Sequence, residues 1–183
     1  MTRCADRGGR LPPAVRRSRT ARRASGPGRD GRRHNFLPHT ADVGLTAVAP
    51  DLPALFEESA LALSELTCRL PEGGSDHPLD VREESVELVA RDLVSLAFLW
   101  LNELIGLGEL RRAAIVGATV ERVEVPSDAG DRPPEVRLLA RIRLVPFDDA
   151  AVRPGVPVKS ATFHRLAVTP TRDGWRLVGY LDV

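Results

Sequence analysis

Residues 92–105 read D-L-V-S-L-A-F-L-W-L-N-E-L-I, and this stretch decides the fold. Its side chains are apolar on nearly every side, a pattern that predicts a helix buried at the centre of a domain. Asp92 can cap the first turn with its carboxylate, and Gly106 and Gly108 are expected to end the helix near residue 107. We therefore expect the rest of the domain to pack around this helix.

Two polar side chains, Asn102 and Glu103, interrupt this apolar segment. A polar group that is buried without a partner costs free energy, so each of them needs a hydrogen bond or contact with water. Two interpretations stay open at this point. The pair marks a functional edge of the helix, or it lies on the one face that solvent reaches.

A second helix and a set of strands are predicted around the central helix. Asp51 and Pro53 are typical of a helix start, leucines at helical spacing continue to Leu70, and Pro71 is expected to stop the helix. A hairpin turn is predicted at residues 171–174. Alternation with a period of two predicts strands at residues 43–48, 79–89 (as one strand or a broken pair), 113–125, 135–145, 158–169 and 175–181. Two helices on a mixed, largely antiparallel sheet give an α+β two-layer sandwich.

The charge distribution divides the chain into residues 1–33 and residues 34–183. The first part has eleven arginines and two acidic residues, a net charge of +9, whereas the second part carries −8. The first part has almost no large apolar side chains, so we predict a disordered extension followed by one domain. The extension is interpreted as an RNA-binding arm, an organellar transit peptide, a sorting signal or a segment without function.

Composition excludes several classes of protein. Cys4 and Cys68 are the two cysteines, which fit neither a disulfide framework nor a zinc site and favour a reducing compartment. We find no apolar run of about 18 residues and no secretory h-region, so we expect a cytoplasmic protein that does not bind membranes. Phosphate-binding loops, nucleophile elbows and zinc-protease motifs are absent from the sequence.

Two acidic points are the candidates for chemistry. Residues 34–44 are predicted as a polar loop in which His39 and Asp42 form an H-x-x-D pair, although taken in isolation a local turn is the better explanation of Asp42. At the other end, Asp182 lies beside the α-carboxylate of Val183, and two carboxylates repel unless a positive charge lies between them. Oxygen ligands suit Ca²⁺ or Mg²⁺. The alternative is a frayed, solvated terminus.

Two further polar residues lie in the segment V-K-S-A-T-F-H. Alternation along a strand places Lys159 and His164 on opposite faces, so the pattern does not bring them to one site. Each is interpreted as a surface residue or as a residue that faces a partner.

Taken together, the segments F-L-P-H-T-A-D-V-G, A-L-F-E-E-S-A-L-A-L, W-L-N-E-L, V-K-S-A-T-F-H and the terminal L-D-V resemble the archease family. The resemblance covers residues 34–183 and implies an accessory protein, not an enzyme, that activates an RtcB-type RNA-splicing ligase by promoting its guanylylation and turnover. It also implies a divalent cation, Ca²⁺ before Mg²⁺ or Mn²⁺, held by Asp42, Asp182 and Val183. His39, Lys159 and His164 would face the ligase or support the metal ligands, and RNA would be contacted through the ligase complex, with no role for DNA.

The sequence departs from the family pattern at two places. The usual glutamate and histidine before V-K-A are missing, and Phe147, Asp148 and Asp149 are the residues that could replace them. His164 is followed by Arg165 where a glycine is common. Two rival functions stay open: a metal-dependent phosphohydrolase, and an RNA-binding or chaperone-like module that acts through the arginine-rich extension.

Overall fold

The structure is a computed structural model that describes residues 31–38, 42–69, 79–126, 135–148 and 152–183. Along these residues lie two helices and nine strands, in the order β1 Arg33–Pro38, β2 Asp42–Ala49, α1 Leu52–Thr67, β3 Cys68–Arg69, β4 Arg82–Ala90, α2 Leu93–Arg111, β5 Ala113–Glu124, β6 Val136–Pro146, β7 Arg153–Pro154, β8 Ser160–Thr171 and β9 Gly174–Asp182.

The strands form two main sheets. A four-stranded sheet has the order β1-β2-β9-β8, a three-stranded sheet has the order β4-β6-β5, and β3 pairs with β7. Every pairing between described strands is antiparallel. The α+β class with two helices packed on β-sheet is confirmed, and the strands divide between sheets instead of forming one mixed sheet.

The predicted helix starts are confirmed. Asp51 accepts a hydrogen bond from the amide of Ala54 at 2.8 Å, and Asp92 accepts one from Ser95 at 2.6 Å. The bond from the Ser95 backbone is the main reason that the pKa of Asp92 lies below its usual value. Each carboxylate therefore satisfies an amide that the first helical turn leaves without a partner.

The predicted helix ends were wrong. α1 ends at Thr67, before Leu70, because Cys68 already has extended backbone angles and begins β3. α2 continues through Gly106 and Gly108 to Arg111 and ends where Arg112 adopts a left-handed conformation, with φ 50°. The glycines are tolerated inside the helix because Leu104 and Leu107 beside them are buried and hold this part of α2 on the core.

The centre of the domain is Trp100, which is fully buried on α2. Its ring packs edge-to-face against Phe56 of α1, and its indole N–H donates to the Phe56 carbonyl and to the Ser59 hydroxyl, both at 3.1 Å. A buried indole needs such a partner. The contact fixes α1 against α2, and both helices pack on both main sheets.

By length and composition α2 could also cross a membrane, since its 19 residues include an 18-residue window with a mean hydropathy of 1.5. The expectation that no segment reaches this length was therefore wrong. Leu96, Ala97 and Leu101 on this helix are fully buried in the core of the domain. The core position accounts for the apolar composition of α2.

The segment predicted as a polar loop begins with β1, which pairs with β2 from Arg33 to Pro38. The buried His34 explains this strand, because its Nδ1 lies 2.8 Å from Glu58 and its Nε2 lies 3.0 Å from Glu65, both on α1. Burial lowers the pKa of His34, but the two carboxylates outweigh burial, and the pKa is raised above 6.5.

Arg32 also pairs with Glu57. The folded domain therefore includes Arg32 and Arg33, while residues 1–30 lie outside the described residues.

The remaining strand predictions are confirmed within a few residues at each end. Residues 79–89 contain one strand, β4, instead of a broken pair. The hairpin between β8 and β9 turns at Arg172 and Asp173, and Gly174 follows with φ 138°. A side chain at Gly174 would also approach the carbonyl oxygen of Ala49 to 2.2 Å, so this turn requires glycine.

Asn102 attaches α2 to β8, which is an edge strand of the four-stranded sheet. Its Oδ1 accepts a hydrogen bond from the Ala161 amide at 3.1 Å, and its Nδ2 donates to the Ala161 carbonyl at 3.3 Å. The side chain thus occupies the place of a neighbouring strand and covers the open edge. These two hydrogen bonds decide between the two interpretations of Asn102. The side chain has a structural role, next to the residues that carry the candidate site.

Candidate functional site

Asp42 and Asp182 lie directly opposite each other in the four-stranded sheet. Asp42 begins β2, Asp182 ends β9, and the two are Cα partners in the antiparallel register. Residues in this relation project from the same face, and like charges placed there repel. Neighbouring positions show which face it is: Val43 and Leu181 are partners on the other side, towards the helices. The structure therefore brings the two acidic points of the sequence together on the outer face.

Val183 follows Asp182 at the end of β9 and adds the α-carboxylate. Lys159 contacts this terminus twice: its amide donates to the Asp182 carbonyl at 2.9 Å, and its Nζ donates to a Val183 oxygen at 3.1 Å. The ammonium group balances one of the three negative charges. Lys159 therefore belongs to the site, which alternation along the strand did not predict.

Ser160 is a further member that the sequence did not indicate. It is the Cα partner of Asp182 on β8, so Asp42, Asp182 and Ser160 form a row across three neighbouring strands. Their side chains share the outer face because register partners point the same way. A serine hydroxyl in a strand gives no sequence signal of its own, and only the pairing of β8 with β9 identifies it.

The glycine of H-T-A-D-V-G makes room for an aromatic ring beside this row. A Cβ on Gly44 would lie 3.3 Å from the Tyr180 ring and 2.7 Å from the Cβ of Leu37. Tyr180 is two residues before Asp182 on β9, so its ring lies on the same outer face. The glycine thus lets Tyr180 pack across β2 next to the acidic pair.

A wide bulge in β8 positions His164. Thr162 pairs with Tyr180 and Ala167 pairs with Val178, so four residues of β8 oppose a single residue of β9. Within the bulge Arg165 has φ 52°, a left-handed conformation that glycine adopts without strain. The His164 ring lies 5.8 Å from the Tyr180 ring, edge to face. His164 therefore reaches the outer face beside Tyr180, which is two residues from Asp182 on β9.

The donor set fits a hard divalent cation. Two side-chain carboxylates and one terminal carboxylate meet at the end of the sheet, and all three supply oxygen ligands. Within the described parts of the chain no three His, Cys, Asp or Glu side chains cluster as a metal-binding group, so the α-carboxylate of Val183 would have to be the third ligand. His39 lies outside the described residues, and its position relative to Asp42 stays a prediction.

An apolar groove of about 520 Å³ adjoins the site. Lys159 forms one part of its wall, and Phe147, from the segment that departs from the family pattern, forms another. Phe147 and Val156 are exposed beside it. Asp148 is exposed next to Phe147, and Asp149 lies outside the described residues. Surface of this kind next to a charged site is typical of a contact between proteins.

The fold and the site define a class of protein: a small α+β domain with an oxygen-rich acidic site at its C-terminal strand. Comparison with known proteins places the chain within this class. A sequence model of the archease protein family (MTH1598/TM1083) matches residues 34–183. The chain belongs to the archease family.

Individual relatives agree with this assignment. Protein archease of Methanosarcina barkeri is 26% identical over 156 residues, which are 84% of this chain and 97% of that protein. Protein archease of Archaeoglobus fulgidus is 28% identical over 151 residues, 82% of this chain and 99% of that protein. The solution structure of Methanobacterium thermoautotrophicum protein 1598 has a TM-score of 0.61 at 24% identity, with 82% of this chain and 98% of that chain covered, and supports the fold.

Proposed function

We propose that this archease is an accessory protein that activates an RtcB-type RNA-splicing ligase in the cytoplasm. The observation that carries the proposal is the register pairing of Asp42 with Asp182 beside the chain terminus. Opposed carboxylates destabilise a sheet, so their placement indicates a function that needs them. Family membership supplies the type of partner.

In this proposal Asp42, Asp182 and the Val183 carboxylate hold one divalent cation. We propose Ca²⁺, because it accepts an irregular set of oxygen ligands more readily than Mg²⁺ does. When bound, the cation would supply positive charge that polarises a phosphate of the ligase's nucleotide. Lys159 keeps the terminal carboxylate at the edge of the sheet, and the Tyr180 ring packs over Gly44 beside the acidic pair.

The metal is tested by calorimetric titration of the full chain with Ca²⁺, Mg²⁺ and Mn²⁺ in separate experiments. We expect one site per chain with Ca²⁺ bound most tightly. Tighter binding of Mg²⁺ or Mn²⁺ would correct the identity of the metal, and no binding of any of the three would overturn the site.

The activation itself is tested by transfer of a labelled guanylyl group from GTP to a purified RtcB-type ligase. Wild-type chain should stimulate the transfer, and Asp42→Ala and Asp42→Asn should not. Glu121→Gln is the matched control, because it removes the same charge from an exposed carboxylate of the other main sheet. Full stimulation by a folded Asp42→Asn variant would show that the acidic site is not the activating element.

We place the ligase contact at the apolar groove, because Lys159 belongs both to the groove wall and to the acidic site. Val156→Glu should abolish stimulation while leaving Ca²⁺ affinity unchanged. Val125→Glu is the control, since Val125 is also an exposed valine and lies after β5, outside the lining of the groove. Equal stimulation by both variants would exclude the groove.

The same purified chain distinguishes an accessory protein from an enzyme. Incubated without ligase, it should leave GTP and phosphodiester substrates unchanged. Turnover by substoichiometric chain that Asp42→Asn removes would instead establish the rival function, a metal-dependent phosphohydrolase.

A further inference from the structure

A second open groove, of about 630 Å³, lies at the other end of the four-stranded sheet. Three arginines from two strands and a turn line it, Arg33, Arg172 and Arg176, together with a single described carboxylate, Asp173. Arg33 and Arg176 are both register partners of Val48, so they flank β2 on its outer face. The groove is therefore strongly basic.

The three guanidinium groups have no ion pair with any described residue. On the three-stranded sheet, by contrast, Arg137 and Arg141 each contact two glutamates. The body of this chain has an excess of acidic residues, so partners for arginine are abundant. Around this groove Asp173 is the single described carboxylate against three arginines, so net positive charge is available to a ligand.

The floor of the groove also has a polar atom without a partner. The hydroxyl of Thr46 is inaccessible to solvent and makes no hydrogen bond, although Thr46 lines the groove. Its register partner Asn35 is exposed and also lines the groove, and its side-chain oxygen accepts a hydrogen bond from the Phe36 amide. The exposed Asn35 side chain therefore lines the groove with amide N–H donors that a phosphate oxygen can accept from.

The groove also lies where the arginine-rich extension joins the domain. Gly31 lines it, and residues 1–30 directly before it contain nine arginines. Arginine binds phosphate through two parallel hydrogen bonds, which suits phosphodiesters better than scattered carboxylates.

We propose that this groove binds the phosphodiester backbone of single-stranded nucleic acid, with RNA as the ligand. Val48 in the groove is six residues from Asp42, so the basic and acidic ends of β2 lie about 20 Å apart. A strand held by its phosphates at one end can extend along the outer face towards the other. The site does not depend on the proposed activation of a ligase, and its test contains no ligase.

The test is fluorescence anisotropy of a labelled single-stranded RNA of about 12 nucleotides, a length within the usual site size of such proteins, titrated with the full chain. The variant combines Arg172→Gln with Arg176→Gln. The matched control combines Arg69→Gln with Arg153→Gln, because these two are also adjacent, exposed and without an ion pair to a described residue. Both variants remove two positive charges.

We expect the groove variant to bind RNA at least fivefold more weakly, and the control to change binding less than twofold. The slope of log affinity against log salt should fall by about 1.4 in the groove variant, at about 0.7 per lost phosphate contact. Equal losses in both variants would show that net charge and not the groove binds RNA, which would overturn the proposal.

Two further measurements keep the result interpretable. Asn35→Ala should weaken RNA binding while leaving the melting temperature close to that of the wild type, since the exposed side chain bonds only the adjacent Phe36 amide within the described fold. Direct titration with GTP tests a free nucleotide as the source of the phosphate. If GTP binding requires Arg172 and Arg176 while RNA binding does not, the groove is a nucleotide site and the proposal is wrong.

Discussion

The two main sheets of this domain treat charge in opposite ways. On the outer face of the three-stranded sheet, Arg137 contacts Glu87 and Glu135, and Arg141 contacts Glu83 and Glu121. On the outer face of the four-stranded sheet, one end has two opposed aspartates and the other end has arginines without ion pairs to described residues. On the first face Arg137 and Arg141 are paired with glutamates, whereas the second face is polarised along its length.

This difference distinguishes a sheet with a structural role from a sheet with a functional role. Exposed ion pairs contribute little to stability, but they cancel each other's field and leave a surface that attracts no particular ligand. The arginines at one end of the four-stranded sheet make no ion pair with a described residue, and they attract negative charge from outside. The four-stranded sheet therefore carries both candidate sites, whereas the three-stranded sheet supports the helices from the other side.

The largest effect, a loss of Ca²⁺ binding, is expected when one carboxylate is removed from the outer face of the four-stranded sheet. Asp182→Asn should weaken Ca²⁺ binding about 100-fold, the upper range seen when groups that support a metal ligand are lost. It should also raise the stability of the metal-free chain, because it relieves a repulsive pair. Titration calorimetry and thermal unfolding measure the two changes. Unchanged Ca²⁺ affinity in Asp182→Asn would contradict the proposed metal site. An equally large loss of affinity in the distant Asp173→Asn would contradict it as well.

The next effect concerns how α2 holds the polarised sheet. Asn102→Leu should lower the free energy of unfolding by about 2 kcal/mol, because the buried Ala161 amide and carbonyl lose their partners. Glu103→Leu on the same helix is the control, and chemical denaturation is the measurement. Equal losses in the two variants would mean that helix packing and not the edge contact is responsible.

Residues with a clear local pattern could be predicted from the sequence, and residues that depend on partners distant in sequence could not. Asp51 and Asp92 were identified as helix caps because a cap acts on amides three residues away. β1 was missed because its strand character depends on pairing with β2 and on the contact of His34 with Glu58.

The candidate site follows the same division. Asp42, Asp182 and Val183 were predicted through the family resemblance, and the register then pairs Asp42 with Asp182. Lys159 was included through the same resemblance, whereas Ser160 became a member only through the pairing of β8 with β9, since alternation along one strand says nothing about its neighbour. The bulge in β8 likewise moves His164 to a place that regular alternation does not give.

A pH-dependent effect should appear on the inner side of the four-stranded sheet, where charge is paired. The pKa of His34 is raised in the fold, so its contribution to stability is complete below about pH 6.5, the unfolded value. The contribution is lost as pH rises through the folded pKa. The stability difference between wild type and His34→Gln should therefore be larger at pH 5.5 than at pH 9. A difference that is independent of pH would show that His34 is neutral in the fold.

The bulges of the two sheets offer a further comparison. The three-stranded sheet places Gly117, with φ 151°, at its bulge, whereas the four-stranded sheet places Arg165 in a left-handed conformation. Arg165→Gly should raise the free energy of unfolding by about 1 kcal/mol, the cost of a left-handed conformation for a residue with a Cβ. Arg165→Ala keeps the Cβ and should give no such gain. A gain in both variants would attribute the effect to the arginine side chain instead of the backbone.

The smallest effect is expected on the neutralised face. Arg141→Gln breaks contacts with Glu83 and Glu121, yet it should lower the free energy of unfolding by only about 0.5 kcal/mol, because the side chain is half exposed and solvent already screens it. The loss should vanish in 1 M salt, where charges interact over about 3 Å. Ca²⁺ affinity and RNA affinity should stay at their wild-type values. A clear change in either affinity would mean that the field of the three-stranded sheet reaches the sites on the other sheet, and the division between a structural and a functional face would fail.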